Sequence, residues 1–345
     1  MLDPPGSTSP LQQPISPVMR EILRSPLLRV WLPVMGAAAL VASLDRGTDP
    51  GDLIYFVHRG ELLLSGGWAD TFADPVLQSG PLQLILFGAV RNLTALAFVL
   101  ELGVASLLLF VLGKLGVSDR IRLGVGLLAV MAGLTHGAFV DGHPAEAFTP
   151  LLWVLAAFWA REDRVLVAGA IIGASAGLEL WGVLGVPVLL LAPRLRRAVV
   201  GGIATACVVV GQLAPFALAG SFRMFDHEWH VTTGTLLSLF VEPGTEFGWP
   251  LRLLQAALAL SAGAGIAFVL RRSVHALWLT PLTVVIVRLL LDPLSFGWYW
   301  LEAEALVLVG AALLFRVLRT RLAEGRPDRD ASRPRPAAHP LRPRS

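Results

Sequence analysis

Titratable side chains crowd the polar segment that follows the first hydrophobic run: Asp45, Arg46, Asp49, Asp52, Tyr55, His58, Arg59 and Glu61. From residue 52 to residue 65, Leu53, Phe56, Val57, Leu63 and Leu64 fall near one side of a helix. His58, Arg59 and Glu61 fall elsewhere, which is the pattern of an amphipathic helix lying in a membrane interface. Asp52 then stands at the helix start, where backbone N–H groups and the helix dipole favour an ionised carboxylate. Facing a hydroxyl, that carboxylate is a general base for transfer to an alcohol; the plainer alternative is a helix cap. Both roles are open to it only if one oxygen stays free.

Other side chains add to this chemistry, each with a plainer alternative. The planar fork of Arg59 suits a phosphate, while His58, Arg59 and Glu61 also suit the solvated face of an interfacial helix. Arg288 lies in an apolar run, where an arginine faces either a ligand or a partner. The alternative is snorkelling to the interface with Asp292, one turn on. Asp141-Gly142-His143 and Asp226-His227-Glu228-Trp229-His230 carry metal-ligating side chains, but at spacings that match no wider zinc pattern. Trp298, Tyr299 and Trp300 suit either a sugar pocket or the aromatic belt of a membrane boundary. There is no Walker loop, dinucleotide fingerprint or serine elbow, and the glycines of 169–177 and 263–265 sit in apolar stretches that favour close helix packing.

The elements that must position these groups are set by composition. The chain has 345 residues, 55% of them hydrophobic and 15% charged, against about 25% charged for a soluble domain. A soluble fold is excluded, and runs of the length that crosses roughly 30 Å of hydrocarbon point to membrane helices. Cys207 is the single cysteine, so no intrachain disulfide is available. Residues 1–26, rich in Pro and Ser, read as a flexible cytoplasmic lead, residues 27–319 as the transmembrane domain, and residues 320–345 as a disordered basic tail. Spans are expected at 27–44, 93–112, 121–140, 147–160, 165–178, 180–191, 198–219, 251–270, 274–291 and 296–318, about ten crossings. The apolar piece 82–90 is too short to cross and is expected as a re-entrant or interfacial helix paired with the one that begins at Asp52.

Charge placement agrees with this order. With both termini inside, the even-numbered connections collect most of the cations, from Arg20 and Arg24 through Lys114, Arg161, Arg196 and Arg272 to the C-terminal arginines. Only Arg46, Arg59, Arg91, Arg223, Arg252 and Arg288 fall on the other side, as the positive-inside rule requires. The same topology gathers Asp141, His143, Glu146, Glu179, Asp226, His227, Glu228, His230, Asp292, Glu302 and Glu304 outside, and leaves the middles of the spans nearly uncharged. A site at the outer face of the membrane follows.

This layout, an inward N-terminus, one span, an outer loop with an early Asp beside an interfacial helix, and a Pro-initiated short helix, resembles the GT-C superfamily of membrane glycosyltransferases. Asp52-Leu53-Ile54-Tyr55, Leu62-Leu63-Leu64-Ser65-Gly66 and Gly80-Pro81-Leu82 look most like the bacterial polyprenyl-phosphate-mannose-dependent mannosyltransferases. Gly142-His143, Gly177-Leu178 with Pro187, and Pro293-Leu294-Ser295-Phe296 are further short matches. The resemblance implies an all-α polytopic protein of the bacterial plasma membrane that transfers a sugar, such as mannose, from a polyprenyl phosphate to a lipid or glycan acceptor on the periplasmic face. In such enzymes the loop carboxylate is the base, which here is Asp52. Arg288, with Arg59, His227 or His230, is then expected to hold the lipid phosphate. Asp49, Tyr55, His58, Gln83, His143, Glu179, Trp298 and Tyr299 are expected to line the acceptor and sugar pocket. No cofactor, metal or nucleic acid is expected; the partners are the two substrates and membrane lipid. The chain departs from the family where Glu179-Leu180-Trp181 replaces a lysine and Gly297-Trp298-Tyr299 replaces a histidine. A lipid-linked-sugar carrier, or a silent subunit of envelope assembly, is the alternative.

Overall fold

A computed structural model describes residues 25–324. The expected lead up to residue 24 and the tail beyond residue 324 lie outside the described residues. Of the described residues, 74% are helical. Helix α1 (Leu27–Asp45) is followed by two short helices, α2 (Leu53–Leu63) and α3 (Pro81–Val90), and then by α4 (Leu93–Lys114). Next come α5 (Asp119–Ala132), α6 (Leu134–Val140), α7 (Ala145–Arg161), α8 (Val165–Ala176) and a 3₁₀ segment, Leu180–Leu191. Helices α9 (Leu195–Ala219), α10 (Trp249–Val269), α11 (Ala276–Leu290) and α12 (Trp300–Glu324) complete the bundle. Strands β1 (Trp229–His230) and β2 (Glu246–Phe247) pair antiparallel in the loop before α10.

Five of these rods are long and apolar enough to cross a membrane: Leu27–Asp45, Leu93–Lys114, Asp119–Val140, Leu195–Ala219 and Trp249–Val269. Residues Leu195–Ala219 and Trp249–Val269 have only 17% of their apolar windows buried, so their side chains face outward as lipid-facing helices do. This is an all-α membrane protein.

Three details differ from the reading of the sequence. The run expected as one span at 121–140 is long and apolar enough to cross but is interrupted at Gly133, whose φ of 98° suits a residue without Cβ and separates α5 from α6. Residues 180–191 wind as a 3₁₀ helix, not an α-helix. Its side chains therefore align every third residue, and the row Gly182, Gly185, Val188 and Leu191 is wholly buried. Gly182 lies against the Ser175 backbone and Gly185 against the Trp153 ring, whose Nε1 donates to the Gly182 carbonyl at 2.9 Å. Finally, α12 runs on to Glu324, so the boundary expected at residue 320 falls inside a helix.

Side-chain and backbone contacts define two poles. At one, Arg316 bonds the Leu115 carbonyl, Arg161 the Ser273 carbonyl, Arg271 the Ala192 carbonyl, and Arg197 pairs with Asp163. At the other, the α8 hairpin tip meets the start of α3, with Gly80 N donating to Leu178 O at 2.6 Å and Leu82 N to Gly177 O at 2.8 Å. Helices α2 and α3 cross there at Gly60 and Gly88, where a Cβ on either residue would strike the other's backbone. On α2, Leu53, Phe56 and Val57 are buried, while Leu64 is exposed and does not join the apolar face.

Candidate functional site

Asp52 closes the turn that leads into α2. Its side chain makes no capping bond, so the cap reading of this residue fails. Instead its Oδ2 lies 3.2 Å from His143 Nε2, and the side chain is 66% exposed where that of His143 is 16%. The other ring nitrogen, Nδ1, is 3.6 Å from Glu179 Oε1. The imidazole is flanked by Trp298, stacked at 5.2 Å and 3°, and by the edge of Phe56. Burial alone would hold the imidazole's pKa down; the two carboxylates outweigh it and raise the pKa to about 9. His143 is thus a cation at neutral pH, and its bond keeps the Asp52 carboxyl below the usual carboxylate range.

Beneath this trio the network continues into the bundle. Trp181 Nε1 donates to Glu179 Oε2 at 2.7 Å, and the Trp181 ring lies under the Arg288 guanidinium at 4.3 Å, with Tyr299 on another side at 5.5 Å. Arg288 is buried and bonded to Glu302, with Glu146 at 3.8 Å. The arginine neither snorkels nor relies on Asp292 alone, and its charge is already met by two carboxylates. It underpins the site from within the bundle.

A parallel rung was not anticipated. His136 Nδ1 lies 2.6 Å from Asp45 Oδ2, and this pair repeats the Asp52–His143 pair seven residues earlier on both strands of chain. Asp141 sits between the two imidazoles, and burial raises its pKa. Behind Asp45, from α4, stands the fully buried Glu101. The expectation of nearly uncharged span middles therefore fails at Glu101, which lies midway along α4. The equal spacing of Asp45 to Asp52 and His136 to His143 is the signal in the sequence, but it carries meaning only once the two segments are known to meet.

The remaining expected residues gather along α2. Tyr55 Oη donates to Asp74 Oδ2 at 2.9 Å, and Arg59 pairs with the same carboxylate and lies over the Tyr55 ring. The segment 220–248 closes over this side, with Arg223 N bonded to Phe72 O and Thr232 N to Pro293 O. Within it, His227 feels the Asp74 charge, and its Nε2 is buried without a partner. Burial, with Arg252 beside it, lowers the His227 pKa, and Arg252 donates to the His227 carbonyl. His230 lies exposed on β1. Gln83 is buried and donates to Ser79 Oγ at 2.8 Å. Asp49 and His58 are exposed and outside these contacts. The structure thus joins Asp52, His143, Glu179, Trp298, Tyr299 and Arg288 in one network. Tyr55, Arg59, His227 and His230 form a second neighbourhood further along α2, and no group of three or more His, Cys, Asp or Glu is arranged to hold a metal among the described residues.

No family model, curated protein or solved structure matches this chain.

Proposed function

We propose that the protein is a membrane glycosyltransferase that moves a sugar from a polyprenyl phosphate to a hydroxyl of a lipid or glycan. The observation that carries this reading is the presentation of Asp52: an exposed carboxylate at the head of α2, oriented by a buried, charged histidine that is itself held by Glu179 and Trp298. A base fixed through two further groups is the usual build of an acid/base site. Asp52 takes the acceptor hydroxyl proton as that oxygen bonds the anomeric carbon and the bond to the lipid phosphate breaks.

With Arg288 and Arg59 both neutralised, the leaving phosphate falls to His227, His230 and Arg252 in the segment over α2. In this reading ten segments cross the bacterial plasma membrane with both termini inside, α2 and α3 lie in the outer interface, and the site faces the periplasm. The arginine-bearing pole then obeys the positive-inside rule.

The test is transfer by the purified protein from a panel of labelled polyprenyl-phosphate sugars to a lipid and glycan extract, wild type beside Asp52→Asn. Transfer lost in the variant supports the reading. Equal transfer by both proteins sinks Asp52 as base. A second reading, a lipid-linked-sugar carrier, is favoured by the buried charges of Glu101, Glu146 and Glu302. It predicts sugar-lipid movement across liposomes with no transfer.

A further inference from the structure

We propose that a pocket at the arginine-bearing pole, far from Asp52, binds the phosphate headgroup of an anionic phospholipid drawn from the surrounding bilayer. The pocket has a volume of ≈ 670 Å³ and lies between the end of α7, the end of the 3₁₀ segment and the end of α10. Its polar wall is Arg161, Arg271 and Arg272, and its apolar wall includes Leu191, Phe268 and Val269. Among the described residues no carboxylate lines it.

Two of these arginines are fixed in place by the backbone. Arg161 donates to the Ser273 and Arg272 carbonyls, both at 2.8 Å, and Arg271 donates to the Ala192 carbonyl. Cations at helix C-termini commonly do this, and that role accounts for Arg161 and Arg271. It leaves Arg272 unexplained, an exposed arginine whose side chain makes no hydrogen bond or ion pair among the described residues. Of the other arginines at this pole, Arg122 is matched by Asp119 and Arg197 by Asp163, while Arg196 is exposed and lies outside the pocket. Three guanidinium groups converging without a carboxylate repel one another and attract an anion.

The apolar wall decides which anion. Phe268 and Val269 are 77% and 76% exposed and sit on a helix that faces outward along most of its length. A ligand with a phosphate for the forks of the arginines and an acyl chain for this wall satisfies both sides, and basic pockets between membrane helices take such headgroups. A free phosphate would leave the apolar wall uncovered.

The test uses the delipidated full chain in a neutral detergent and follows thermal unfolding. Mixed micelles of phosphatidylglycerol are compared with phosphatidylcholine and with inorganic phosphate at equal phosphate concentration. Expected is a rise in Tm of several degrees with phosphatidylglycerol only, at least halved in Arg272→Gln. Arg196→Gln, an exposed arginine of the same pole outside the pocket, should leave the rise intact. Equal protection by phosphatidylcholine overturns the proposal, as does full protection by inorganic phosphate, which would mark a site for the free anion. A loss in Arg196→Gln matching that in Arg272→Gln also overturns it, since the effect would then be attraction to the whole basic surface.

Discussion

Two Asp–His rungs stand side by side at one pole, and they are built in opposite senses. In the first, Asp45 is buried (9% exposed) and His136 is open (44%). In the second, His143 is buried and Asp52 is open. An open carboxylate with a buried, charged histidine behind it can meet a substrate hydroxyl, whereas a buried carboxylate capped by a solvated histidine can only hold chain segments together. The second rung continues downward through Glu179 and Trp181 to Arg288 and its two glutamates, whereas the first ends on Glu101. The same two residue types in the same spacing thus serve different ends, and what divides them is which partner meets solvent.

The contrast can be broken at several depths. The largest effect is expected from the two aspartates: Asp52→Asn should lower transfer by about 10²–10⁴-fold, the usual worth of a general base, with little change in Tm. Asp45→Asn should leave transfer within a few-fold and lower Tm instead. Equal kinetic losses from both would erase the distinction. Next comes the underpinning. Glu302→Gln leaves Arg288 short of one carboxylate in a buried site, where breaking such a pair costs about 3–5 kcal/mol, seen as a fall in the unfolding midpoint in detergent. The crossing under Asp52 follows: Gly60→Ala forces α2 from α3, at a cost of about 1–3 kcal/mol, and should reduce transfer along with stability because the base moves.

A pH series sharpens the comparison further. The folded His143 pKa, about 9, lies above its ordinary 6.5. Its stabilisation is therefore fully present below about pH 6.5 and is lost as pH rises through about 9. The difference in Tm between wild type and His143→Gln should shrink over that window. Asp52 moves less than its partner, because it is exposed and has one charged neighbour where His143 has two. The smallest effect belongs to His136→Gln, an exposed partner, for which about 1 kcal/mol or less is expected from the midpoint of unfolding.

Much of this arrangement is legible in the sequence. Asp52, His143, Glu179, Trp298 and Arg288 can be picked out as polar groups at the same ends of apolar runs, and the alternation of those runs brings them together. The short helices follow as directly, since Gly80-Pro81 starts α3 and a run of that size is too short to cross. What escapes is pairing that depends on depth and azimuth. Arg288 pairs with Glu302 and Glu146, with Asp292 acting on it only through its charge, because the ends of α7 and α12 face it across the bundle. Glu101 gives no local hint of Asp45. The break at Gly133 hides within an unbroken apolar run, where only the positive φ reveals it. The three-residue rows of Gly182, Gly185 and Val188 read equally well as ordinary helix.

That last segment also fixes a height. A 3₁₀ helix rises about 2.0 Å per residue against 1.5 Å for an α-helix, so its twelve residues reach about 24 Å instead of about 18 Å. Wound as an α-helix from the same floor at Ala192, the chain would end about 6 Å short. Glu179 would hang below His143, and the imidazole would lose the carboxylate that steadies its far nitrogen. The tight winding works as a spacer, cut to the length that lets a short hairpin touch a histidine near the surface.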